Sequence, residues 1–256
     1  MKGNPSAWRI QASDILYEDE DLIVVDKPAG LPSQPTPDPA RDNAYAAVCR
    51  YVNGGYVGMH HRLDALTSGA LLFTKSERAN AGISAQFQGH TVYKEYMAVS
   101  WCDRNDSPSN GLDSSWAAGD HKVDLDMPIG EIPGGKVQRY GIDGRKRRPA
   151  RTEVWCLKKV SARGGDVYLC LCIPHTGRTH QIRVHLAAAH LGIIGDPLYG
   201  AGLGRGMRSI DPGRMCLHAQ TLKIVHPITQ EVLQIHAPRP AIFGRFLDQA
   251  SKLGQV

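Results

Sequence analysis

The chemistry this chain could perform is concentrated in one run, His61-Arg62-Leu63-Asp64-Ala65-Leu66-Thr67-Ser68-Gly69-Ala70-Leu71-Leu72-Phe73. In extended backbone successive side chains face opposite ways, so Arg62 and Asp64 project from one surface and His61 and Leu63 from the other. An isolated Arg-x-Asp is more often a surface ion pair worth little. Its setting raises this one above that. Thr67-Ser68-Gly69 supplies turn residues directly after the acid, and Leu71-Leu72-Phe73 reads as a buried strand that would hold the turn rigid. The expected result is a single carboxylate presented from a fixed edge.

Three other stretches carry reactive or charged side chains. Over Val92 to Val99 a strand is expected in which Lys94, Tyr96 and Ala98 share one face. Between Thr176 and Leu186, Thr179 is placed to cap a helix whose buried stripe is Ile182, Leu186 and Ala189, ended by Gly192, with Arg183 off that stripe and able to face a cleft. From Lys136 to Arg151 seven Lys or Arg oppose one acid, Asp143, in a segment whose Gly and Pro argue for an exposed loop.

Three tempting patterns fail on geometry. His175, His180, His185 and His190 recur every five residues, which turns a helix by about 140° and points neighbours apart, whereas zinc helices use i, i+4 pairs. Gly130 to Lys136 fits a phosphate-binding loop by spacing, but Val137 stands where magnesium needs a hydroxyl, and neither strand nor helix flanks it. Gly200 to Gly206 likewise lacks the strand and helix of a dinucleotide site. No metal or cofactor is expected.

The elements that must position these residues are legible from pattern. Met1 to Ala12, with the lead-in ending at residue 14, precedes a hairpin of Ile15 to Tyr17 and Leu22 to Val25, closed by Lys27-Pro28-Ala29-Gly30, where Pro and Gly set the turn and no chemistry is assigned. A proline-rich loop, Pro32 to Asp42, leads to a helix from Asn43 to Val52; Ser76 is expected to cap a helix through Ala79, Ile83 and Phe87 to Gly89. Trp101 to Asp120, rich in Gly and Ser, is expected as surface loop. Glu153 to Val160 and Asp166 to Ile173 form an antiparallel pair turning at Arg163-Gly164-Gly165; Leu217 to Val225 and Glu231 to His236 form another, before a closing helix from Pro240 to Leu253.

The order His-Arg-Leu-Asp, two residues, Thr-Ser-Gly and an apolar run ending in Lys75 resembles the active-site signature of RluA-type pseudouridine synthases. Lys94-x-Tyr96 resembles the family's second motif, Gly177 to His185 its third, and Gly195-Asp196-Pro197-Leu198-Tyr199-Gly200 also looks like the family. The resemblance runs from Ile15 to the end. Leu66 departs from it, where many relatives carry a polar or acidic residue. The resemblance implies an α+β catalytic fold, a long, mixed, mostly antiparallel bent sheet flanked by helices with a central cleft, in one domain from 15 to 256. The small N-terminal RNA-binding module of some relatives is expected to be missing. It implies RNA, ribosomal or transfer, as partner, isomerisation of uridine as activity, and no cofactor. Asp64 would be catalytic, Tyr96 would stack on the base and take part in proton transfer, and Arg183 would be the ion partner of Asp64. Arg62 would fill the space left by the flipped nucleotide or hold the displaced nucleotide, with His61, Leu63, Ile182 and Lys94 around the substrate. The basic run, Arg139, Arg145, Lys146, Arg147 and Arg148, then becomes a phosphate-contacting loop.

Composition agrees with a folded enzyme: 256 residues, 42% hydrophobic and 21% charged, enough to bury a sizeable core. A net charge of +5 favours a polyanionic partner. Six cysteines without a C-x-x-C pair imply reduced thiols, and no apolar stretch reaches signal-peptide or membrane-spanning length, so a soluble, cytoplasmic monomer is expected. An RNA-binding protein without catalysis, or a metal-dependent hydrolase built on the histidines, would match none of the three motifs in order.

Overall fold

The computed structural model describes residues 7–103, 105–106, 108–109, 112–135, 137–200 and 211–254. In chain order the elements are β1 (Ile15–Glu18), β2 (Leu22–Lys27), α1 (Ala44–Tyr51), β3 (Gly58–Met59), β4 (Ser68–Thr74), α2 (Glu77–Gln88) and β5 (Tyr93–Asp103). There follow α3 (Ser114–Ala117), β6 (Val123–Asp126), β7 (Ile129–Ile132), β8 (Arg139–Gly141), β9 (Arg145–Arg148), β10 (Arg151–Ala162), β11 (Gly165–Pro174) and α4 (Gln181–Ala188). Last come β12 (Gly192–Ile193), β13 (Leu217–Val225), β14 (Val232–His236) and α5 (Ala241–Gly254). The fold is α+β, with mostly antiparallel sheet and few helices.

By internal packing the chain divides into two compact units, Met1–Lys94 with Ala219–Pro238 and Glu95–His218 with Arg239–Val256. In the first, β1, β2, β4 and β13 are neighbours in that order, with β3 added to β4 and β14 to β13. Strand β4 is buried at all seven positions, which is why its side chains run apolar without alternation. Leu22, Val24, Ala70 and Leu72 meet Ala79 and Ile83 of α2 and Leu222 and Ile224 of β13 in one core. Asn43 caps α1, its side chain accepting from the Ala46 N–H. Ser76 stands at the N-cap of α2, but its hydroxyl donates to Asp21 instead of capping; that carboxylate, buried and paired with Arg78, is the stronger acceptor.

In the second unit β5, β11, β10 and β6 pair antiparallel, with β12 on β5. α5 turns Phe243, Phe246, Leu247 and Ala250 inward. Two expectations are corrected here. The stretch Trp101 to Asp120 is not surface loop throughout: β5 continues to Asp103, Trp101 and Leu112 are fully buried, and Trp116 of α3 is buried with its indole N–H on the Val154 carbonyl. Two large aromatic surfaces outweigh the polar residues around them. The basic run is not a loop either. β8 and β9 both pair with β7 in a three-stranded antiparallel sheet. Glycine serves close approach there, since a Cβ on Gly144 would collide with the Gly130 carbonyl. The run Gly200 to Gly206 falls, after its first residue, outside the described residues.

Among the described residues no helix is long and apolar enough to cross a membrane. All six cysteines are free, five of them buried, and burial pushes the Cys172 and Cys216 thiols up to about 12, so they are inert packing groups.

Candidate active site

Asp64 lies in the first unit in a turn closed by the Thr67 N–H on the Asp64 carbonyl at 3.0 Å. The turn therefore falls on Asp64 to Thr67, and Ser68 and Gly69 already belong to β4, one step later than the sequence pattern suggested. Gly69 is needed for closeness: at φ +112 a Cβ would collide with the Ala219 carbonyl. Two buried residues grip the backbone on either side of the acid. The Ser33 hydroxyl accepts the Leu63 N–H at 3.0 Å and donates to the Leu63 carbonyl at 2.7 Å. The Lys27 ammonium, fully buried, donates to the carbonyls of Pro28, Leu31 and Ala65, and the Gly30 N–H reaches the same Ala65 oxygen at 2.8 Å. The loop after β2 is thus folded around the acid. Lys27 and Ser33 escape the sequence pattern, which gives Lys27 no role; the signal was a lysine ending an apolar strand, a place where burial requires partners.

Side chains around Asp64 differ in their engagement. Asp64 is half-buried, Arg62 exposed and Leu63 buried. His61 stacks on Phe87 with ring centroids 4.6 Å apart, and its Nε2 accepts the Leu72 N–H at 3.0 Å. Burial, reinforced by the nearby Lys94 charge, pushes its pKa down to about 3. His61 is thereby held neutral and brackets the run against β4. Burial also lowers Lys94.

The second unit holds Tyr96, Ile182 and Arg183. Tyr96 is half-buried on β5, opposite Cys172 of β11. Arg183 is not on an open face of α4, because every residue from Gln181 to Leu186 is buried; its guanidinium meets Asp196 in parallel, through Nε at 2.7 Å and Nη2 at 2.9 Å. Burial alone would raise Asp196, but the Arg183 bonds and charge and the Leu198 and Tyr199 N–H groups hold it below its ordinary value. The Arg183 guanidinium also lies over the Tyr199 ring, 5.0 Å from its centroid. Thr179 is exposed, and the N-cap of α4 is His180, in left-handed backbone. Gln181 closes the helix start, its Oε1 accepting from Thr176 and the Arg178 N–H.

The four periodic histidines serve different partners: His175 lies near Glu153, His180 bonds Tyr199, His185 bridges Thr152 and the Met127 carbonyl, and His190 lies near Asp106. Among the described residues Asp124, Glu153 and His175 come within ligand distance of one another. Arg151 and Lys122 already neutralise the two carboxylates.

On β9, Arg145, Lys146, Arg147 and Arg148 are all exposed. Arg139 of β8 is exposed too, with Nη2 on the Leu198 carbonyl. Arg178, which the sequence pattern does not single out, belongs with them: burial and then the nearby Arg148 charge lower its pKa, a crowding of cations that an anion would relieve.

The acid in its clamped turn, the tyrosine on β5 and the buried arginine can each be set beside known proteins. The RNA pseudouridylate synthase family matches residues 21–188. The chain belongs to that family. It is 33% identical to the dual-specificity RNA pseudouridine synthase RluA of Haemophilus influenzae, over 88% of this chain and 92% of that one. It is 31% identical to the ribosomal large subunit pseudouridine synthase D of Xanthomonas campestris, over 91% and 68%. Among solved structures, human RNA pseudouridylate synthase domain containing 1 superposes with a TM-score of 0.67 at 27% identity, covering 91% of this chain and 87% of that one. Membership in the pseudouridylate synthase family makes the protein an isomerase that converts uridine in RNA to pseudouridine.

Proposed function

We propose that Asp64 is the catalytic carboxylate, that Tyr96 and Arg183 are catalytic residues with it, and that the RNA is ribosomal or transfer RNA. One relative is named for the large ribosomal subunit and another for dual specificity. The observation that supports this reading best is the clamp of Lys27 and Ser33 on the backbone flanking Asp64, since a reacting group must be held to a fraction of an ångström. The chain from residue 15 acts as one catalytic domain, as a monomer in the cytoplasm.

The reaction breaks the bond between uracil N1 and the ribose carbon and joins that carbon to C5; C5 loses a proton and N1 gains one, so product and substrate are isomers. Redox balance is untouched. Asp64 supplies the carboxylate that meets the ribose or base. Tyr96 offers a ring for stacking and a hydroxyl for the C5 proton. The uridine must first leave its stack, at about a few kcal/mol, and the exposed Arg62 takes the vacated place. Phosphates are held by Arg139, Arg145, Lys146, Arg147 and Arg148, while Leu63, Lys94 and Ile182 flank the nucleotide.

The test is tritium release from ribosomal and transfer RNA transcripts carrying 5-tritiated uridine. Asp64→Asn is expected to bind RNA as the wild type does and to release none; full release by the variant refutes the assignment. Charge reversal at Arg145 and Arg148 is expected to flatten the salt dependence of binding by about two in slope; an unchanged slope removes the β9 cations from the interface.

A further inference from the structure

Tyr199 stands at the meeting point of the basic sheet and the arginine. Its hydroxyl accepts the Tyr140 N–H of β8 at 2.9 Å, which leaves its own proton for His180 Nδ1, also at 2.9 Å. Its ring face lies under the Arg183 guanidinium. Its backbone N–H, with that of Leu198, donates to Oδ1 of Asp196, the carboxylate that grips Arg183. Arg139 of β8 adds a bond to the Leu198 carbonyl at 3.1 Å. The short segment from Asp196 to Tyr199 therefore receives two bonds from the basic sheet and gives two contacts to one guanidinium.

Packing makes the connection stiff. Tyr140 and Tyr199 close over a cluster of Ile129, Ala150 and Val184, and His180 is caught edge-on between the two tyrosine rings, with centroids 5.5 Å from each. His180 has φ +57, a conformation few non-glycine residues adopt, and it starts the helix that carries Arg183. A shift of β8 is passed to that helix through bonds and ring edges, with little room for slack.

We propose that Tyr199 is a positioning residue tying the basic sheet to Arg183, so that an RNA backbone held on the sheet sets where the guanidinium stands during isomerisation. The proposal rests on the catalytic reading of Arg183 given above. The sheet then does more than bind, because RNA that fails to engage β9 binds weakly and, once bound, also reacts slowly.

A double-mutant cycle of Tyr199→Phe and Arg147→Glu tests this, with the same tritiated transcripts at saturating concentration and single turnover. Tyr199→Phe keeps the ring and loses the hydroxyl; it is expected to slow the bound-state rate about ten- to hundredfold with RNA affinity within about twofold. Arg147→Glu is expected to slow the bound state too, and the double variant to be no slower than Tyr199→Phe alone. Independent, multiplying effects overturn the coupling. Amide exchange over residues 181–188 gives a readout free of turnover: the transcripts are expected to protect this helix in the wild type and not in Tyr199→Phe, and equal protection in both overturns the proposal. Protection that needs Tyr199 in a wild type that releases no tritium from either RNA class leaves the coupling standing and sinks the catalytic reading instead. Should Tyr199→Phe fail to fold, Arg139→Ala removes the Leu198 bond from the surface and takes its place in the cycle.

Discussion

Asp64 and Arg183 are held by opposite means. Around Asp64 the grip falls on backbone: Ser33 on both polar atoms of Leu63, Lys27 and Gly30 on the Ala65 carbonyl. Around Arg183 it falls on the guanidinium itself, through Asp196 and the Tyr199 ring. A clamp on the backbone tolerates changes in neighbouring side chains, which is how Leu66 can stand where many relatives carry a polar residue without loosening the turn. A clamp on a side chain depends wholly on its partner's charge. The first region should yield gradually to substitution and the second abruptly.

The largest effect sharpens that contrast. Asp196→Ala removes a buried carboxylate that meets two nitrogens of Arg183, itself 3% exposed, and is expected to cost about 3–5 kcal/mol in chemical denaturation; a loss under about 1 kcal/mol would mean that this pair contributes little to holding the guanidinium. Next comes Lys27→Met, which strips three carbonyls of their shared donor and is expected to cost about 2–4 kcal/mol. It should slow tritium release further than stability explains, measured at a temperature where the variant is folded. A variant as active as the wild type would break the idea that the clamp positions Asp64.

His61 tests the same clamp through pH. Folding holds its pKa near 3, against an ordinary 6.5, so the unfolded chain binds the extra proton between those values. Its contribution is complete above about pH 6.5 and is lost as pH falls towards 3. Between pH 6.5 and 5 the wild type is expected to lose about 1–2 kcal/mol more than His61→Phe, which keeps the stack on Phe87 but cannot titrate. Parallel curves for the two proteins would show that the ring is hydrated. The smallest expected effect is at Thr179. As a helix cap it would be worth about 1 kcal/mol; exposed and outside the cap position, Thr179→Ala should change the denaturation midpoint by less than about 0.5 kcal/mol equivalent.

Elements with a strong local pattern are legible from residue order alone. The buried strand after Asp64, the helix through Ala79 and Ile83, the β10–β11 pair and the closing helix all lie where their periodicity puts them. What misleads is composition without tertiary context. The Gly-rich basic run suggests a loop because glycine is permissive, yet Gly130 and Gly144 are small so that two strands can cross closely. The polar stretch from Trp101 to Asp120 hides two buried tryptophans. Arg183 falls off the apolar stripe of its helix, and that helix is buried on every side over its first six residues, charge included.

By itself the sequence determined the family and the order of the three motifs, because these depend on residue types at short fixed offsets, which one-dimensional spacing records in full. Only the tertiary structure decided that Lys27 and Ser33 grip the turn from 38 and 30 residues away along the chain, that Asp196 seats a carboxylate on Arg183, and that Tyr199 joins the basic sheet to it. Those contacts form only when distant segments are buried together and their polar groups, cut off from water, must find partners in one another.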